Sequence, residues 1–198
     1  SKGLIYLHRV NLFKRLESSV YSFSETLRRL LENIDRMTET LLRGNRIDTE
    51  AEAIEEDEEI VYIEGSKYEI EAKHLRISNY IEDLVADRKI VEEIYKETLK
   101  VLNEDRDNKI YELEKIITDK IEKTPYNDGN RKIIIFTAFA DTADYIYMSL
   151  KEKMKDKNIH MASITGKNVK TTNKNVESEF NKVLCAFSPK SKMKKELP

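Results

Sequence analysis

This chain of 198 residues has no tryptophan, one cysteine, three histidines, three prolines and five glycines. A lone Cys185 excludes an intrachain disulfide and any zinc site built on cysteine spacing. Lying in an apolar stretch, it reads as a packed, inert thiol of the kind a reducing compartment tolerates. His8, His74 and His160 are scattered, so they outline neither a metal site nor a nucleophile–base pair. No GxxxxGK[ST] loop is present, which leaves no backbone cradle for the phosphates of ATP. No apolar run approaches the ~20 residues of a membrane helix, and no signal peptide is visible. The expectation is a soluble, cytoplasmic protein without a membrane partner.

What is abundant is charge. Charged residues make up 36% of the chain and hydrophobic ones 39%. With so little glycine and proline, that balance favours long, solvent-exposed helices over a β-rich fold. Net charge is −2 but unevenly spread. Residues 1–48 hold 6 acids and 9 bases, residues 49–130 hold 24 and 12, and residues 131–198 hold 7 and 14. A basic C-terminal third beside an acidic arm suits a nucleic-acid partner at one end, although two ordinary solvated surfaces give the same count.

Helical periodicity dominates the first hundred residues. Phe13, Leu16, Val20, Phe23, Leu27, Leu30, Ile34, Met37 and Leu41 recur at spacings of three and four, a heptad seam that predicts one long helix over 8–43. Arg9, Lys14, Arg28, Arg29, Arg36 and Arg43 are read as its opposite face, and Gly44-Asn45 as its end. Residues 48–59 are an acidic run that repels itself, part of a connector over 48–67. A second long helix is expected from about Tyr68 to Asn103. Its seam is Ile77, Ile81, Leu84, Val91, Tyr95 and Leu102, interrupted by Arg88 and Thr98. The offset residues Ile90, Ile94 and Val101 widen the stripe enough for more than one neighbour. The two seams predict helices packed lengthwise and antiparallel. A shorter helix over 106–123 and a turn-rich link at Thr124–Gly129 follow.

The C-terminal part changes period. Ile133, Ile134, Ile135 and Phe136 form a run too uniformly apolar for a strand with one wet face, which predicts a strand covered on both. Asp141-Thr142 reads as a helix cap, with the helix continuing to about Met154. Ile159–Ile164 is a second strand candidate, ended by Thr165-Gly166. Strand, helix and strand in about thirty-five residues make a parallel βαβ unit. The segment KNVKTTNKN after Gly166 reads as a basic loop, and 175–187 as an amphipathic helix stopped by Pro189.

Lys132–Tyr145, KIIIFTAFADTADY, resembles motif IV of superfamily 2 helicases in the form used by Snf2-type ATPases. Asp107–Leu113 is similar to the short helix opening the second RecA-like lobe there. Ile164-Thr165-Gly166-Lys167, with the later Phe187-Ser188-Pro189, resembles the segment leading toward motif V. Leu12–Phe23, LFKRLESSVYSF, looks like a helix between the lobes in a bacterial Snf2-like branch.

The resemblance implies a mixed α/β, mostly helical chain: long helices over 1–104, then a truncated RecA-like second lobe over 105–198. The first lobe would precede it, and motifs V and VI would follow Pro198. ATP and Mg would bind in the intact protein, with no cofactor in this portion and no catalytic residue or metal site. DNA would be the partner. Nucleic-acid contacts are implied for Thr137, Phe139 and Asp141 at one strand end, for Thr165, Gly166 and Lys167 at the other, and for Lys14 and Arg15. Related helicases often carry an arginine after the glycine loop, where this chain has Lys170, Lys174 and Asn175. The competing reading is a helical scaffold or adaptor that acts through protein–protein contacts along its heptad seams.

Overall fold

The computed structural model describes residues 2–42, 77–104, 106–123, 130–166 and 168–189. It divides into two compact units, Ser1–Arg106 and Asp107–Pro198. Among the described residues the fold is mostly helical, with one small two-stranded sheet. The connector at 48–67, the link at Thr124–Gly129, and residues 68–76 of the expected second helix lie outside the described residues.

Unit 1 is built from α1 (Lys2–Ser18), α2 (Val20–Leu42) and α3 (Ile77–Asn103). The expected single helix over 8–43 is interrupted at Ser19. The ladder continues on either side, with the Ser19 amide bonded to the Arg15 carbonyl and the Phe23 amide to the Ser19 carbonyl. At the break the Ser22 amide donates to Ser19 Oγ at 3.0 Å, so the serine caps α2. A serine offers the backbone this local alternative to the helical bond. The heptad seam is buried along α2, where Leu27, Ile34 and Leu41 are 3%, 9% and 2% exposed. Along α1 it is not, since Phe13 and Leu16 are 65% and 39% exposed.

The partner of α2 is α3, whose Leu84, Val91, Tyr95 and Leu102 are half-buried. Tyr80 hydroxyl lies 3.5 Å from Met37 Sδ, and Arg88 reaches Asp35 with Nε–Oδ1 at 2.6 Å and Nη2–Oδ2 at 3.3 Å. Going back along α2 from Met37 to Asp35 goes forward along α3 from Tyr80 to Arg88, the order of an antiparallel pair. Both seam interruptions are thereby accounted for. Arg88 turns outward to Asp35, and the buried Thr98 donates its hydroxyl to the Tyr95 carbonyl at 2.7 Å.

Unit 2 comprises α4 (Asn108–Glu122), α5 (Ala140–Asp156), β1 (Ala162–Thr165), β2 (Asn168–Thr171) and α6 (Phe180–Phe187). Its core is the contact of α4 with α5. Ile117 and Ile121 bury against Leu150 and Met154, with Ile110, Leu113, Ile133, Ile146, Ile159 and Met161 around them.

Five expectations are corrected here. The run at 132–136 is not a strand, because no backbone ladder joins it to another described residue, and a strand without a ladder leaves its N–H and C=O groups unpaired. The two strands present are antiparallel neighbours, with Ala162 opposite Thr171 and Thr165 opposite Asn168, rather than the parallel pair of a βαβ unit. The segment read as a basic loop supplies β2. Its lysines and asparagines hid the β-branched Val169 and Thr171, and β1, two residues away in sequence, provides the ladder. Finally, α5 is entered through Phe139 as N-cap, and Asp141 lies inside the first turn instead of capping it. The last helix begins at Phe180 rather than near 175.

Shortening Leu27 to alanine should cost ~2–5 kcal/mol in chemical unfolding if its burial supports the α2–α3 pair. Phe13→Ala on the uncovered end of the seam should fall within about 0.5 kcal/mol of the parent, as exposed substitutions do.

Candidate nucleic-acid interface

The entry to α5 is held by the Phe139 carbonyl. It accepts from Thr137 Oγ1 at 2.7 Å, from the Thr142 amide at 3.1 Å and from the Ala143 amide at 3.2 Å. Phe139 itself is buried at 7% exposure, and Thr142 at 4%. Of the amides that would face an anion, that of Thr142 is engaged within the turn, and the Asp141 carboxylate stands in the same turn. An acid there suits the helix dipole and opposes a phosphate at the same place. Of the three residues expected at this strand end, Phe139 is turned into the protein while Thr137 and Asp141 are half-buried.

Thr165 and Gly166 sit at the tip of the β1–β2 hairpin. Pairing of Thr165 with Asn168 leaves positions 166 and 167 alone to connect the strands. Gly166 has φ 50°, the left-handed value that tight hairpin turns require and that glycine adopts without cost. Lys167, expected beside it, lies outside the described residues. The hairpin continues past β2 through Thr172, whose amide donates to the Met161 carbonyl at 2.9 Å and whose Oγ1 accepts from the Met161 amide at 2.8 Å.

Lys170 links this hairpin to α5. Its Nζ lies 2.7 Å from Asp144 Oδ1, which sets β2 beside the early turns of the helix that begins after Phe139. The pair neutralises Lys170 locally. One turn further on, burial pushes the Tyr147 phenol up, with Lys170 opposing that shift. Lys174 is exposed and makes no ion pair among the described residues. Lys14 and Arg15 belong to unit 1. Lys14 is exposed, whereas Arg15 is 7% exposed and donates from Nη1 to the wholly buried Ser22 Oγ at 3.3 Å. Arg15 thus serves the α1–α2 junction, and Lys14 is the open cation of the two.

The sequence did not foretell the joint at the start of α4. Asp107 is its N-cap, with Oδ1 accepting from the Lys109 and Ile110 amides at 3.0 and 3.4 Å. Oδ2 accepts from the Tyr145 hydroxyl at 3.0 Å, tying α5 to the start of α4. An aspartate just before a helical pattern signals such a cap. Nothing in the sequence signalled Tyr145. Likewise, Lys132 Nζ lies 5.6 Å from the centre of the Phe187 ring, a cation–π contact between the apolar run and α6. Among the described residues no group of three or more metal-ligating side chains occurs, and no helix is long and apolar enough to cross a membrane.

Comparison with known proteins gave no matching family model, no matching curated protein and no matching solved structure.

Replacing Asp107 by alanine removes the cap and the tyrosine's acceptor together, and should cost about 1–2 kcal/mol. In a double-mutant cycle with Tyr145→Phe, the Tyr145 substitution should cost less in the Asp107→Ala background, since their bond is then already lost. Equal costs in both backgrounds would show that the hydroxyl makes no energetic contact with Asp107.

Proposed function

We propose that this chain is a portion of a nucleic-acid-dependent ATPase of the Snf2-like superfamily 2 type. In this reading unit 1 provides inter-lobe helices and unit 2 the first part of the second RecA-like lobe. The observation that carries it is the state of the run at 132–136. Ile133 packs on the α4–α5 core, while Ile134 and Phe136 are 60% and 89% exposed. A four-residue run this apolar is fitted to the middle of a sheet covered on both faces. Here its second face meets nothing among the described residues. Further strands of the lobe would supply the ladder. The hairpin does not oppose that arrangement, because β2 occupies only one edge of β1. The ordered resemblance of four separate segments to one enzyme family supports the same reading.

ATP and Mg would lie between two lobes of the intact protein, and this chain, lacking a phosphate loop, would hold neither alone. Its own contribution would be contact with the nucleic-acid backbone. The hairpin tip at Thr165, Gly166 and Lys167 suits that role best, because a glycine turn lets a sugar-phosphate chain approach closely and a lysine adds one charge. Such contacts position a strand without reading its bases. Thr137 and Asp141 would border that contact, with Phe139 supporting from inside; in unit 1, Lys14 would be a contact of its own, with Arg15 supporting it.

A second reading keeps one observation in its favour. The exposed apolar residues on α3, Val85, Ile90 and Ile94, suit a helical scaffold that binds other proteins. Adjoining sequence with a phosphate-binding loop and a DExH segment would decide for the motor, and its absence for the scaffold.

In the intact protein, Lys167→Ala should weaken DNA binding about equally for all sequences and lower the salt slope by ~1, the loss of one phosphate contact. Lys155→Ala, on the exposed side of α5, should change much less. Equal effects would mean diffuse charge and no contact at the hairpin tip. The purified 198 residues alone should show no nucleic-acid-stimulated ATP hydrolysis, and phosphate release above contaminant controls would overturn the assignment.

A further inference from the structure

We draw no further inference here: the strongest candidate, the exposed face of α3 that carries Val85, Ile90 and Ile94, holds no proposal because nothing in the structure shows what covers it.

Discussion

Unit 2 depends on one apolar contact, the burial of Ile117 and Ile121 of α4 against Leu150 and Met154 of α5. Leu150 and Met154 are 0% and 1% exposed, the most deeply buried side chains of that unit. Its neighbouring segments are placed from this pair. Ile133 reaches in from the apolar run, Ile159 and Met161 from the approach to β1, and Asp107 fastens the start of α4 to Tyr145. The polar links are placed where the apolar ones stop. Lys153 and Lys157 of the α5 end reach Glu114 and Glu122 of α4 at 2.7 and 3.1 Å, on the solvent side of the same seam. Pairs exposed to this degree add little to stability, and their effect is on which faces meet.

Unit 1 follows the same rule with a different remedy for its polar interruptions. A seam of leucines and isoleucines alone permits a slide by one heptad, because each register buries the same kind of side chain. Arg88 breaks that degeneracy. Its guanidinium is held by Asp35 across the pair and by Glu92 at 2.9 Å along α3, and both raise its pKa, the hydrogen bond to Asp35 most. Glu92 is lowered in turn, first by its hydrogen bond to Lys96 and then by Arg88. A group lowered in this way contributes fully above its unfolded pKa and loses that contribution as pH falls through the folded value. Glu92 and both its partners lie on α3, so this acid sensitivity belongs to the pairs along that helix and not to the interhelical register.

The legible part of this chain was the helical part. Spacing gave the α2 seam, the α3 seam and both exceptions in it, because a helix buries one stripe and periodicity records the stripe directly. It overreached at Phe13 and Leu16, where the pattern continues although no neighbour among the described residues covers it. Periodicity states that a face is apolar and is silent on what covers it. The break at Ser19 escaped because serine is an ordinary residue within a helix until its hydroxyl takes the place of a carbonyl. The β elements were the least legible, since a strand is defined by its partner. Ile133–Phe136 has the composition of a strand and no ladder among the described residues, while Asn168–Thr171 has the composition of a loop and a complete one. The site residues divided in the same way. Gly166 is where a tight turn needs it, whereas Phe139 and Arg15 are turned inward, and solvent exposure cannot be read from residue type at a helix end.

Two of the exposed apolar surfaces among the described residues differ in kind. On α3, Ile90 and Ile94 are single residues set among acids, with the backbone satisfied by the helix itself. Such a face is stable in water and can meet a partner reversibly. At Ile134 and Phe136 the side chains are bare and the surrounding backbone also lacks a ladder. Water can satisfy those amides, but it does not offset the apolar exposure, and an uncovered β-prone run is a site for unselective association. A chain selected to work with that run exposed would break it with a charge. The charges present, Arg131 and Lys132, flank the run and leave the four apolar residues whole. The run is thus composed for burial, whereas a backbone satisfied within its own helix leaves the α3 face stable in water.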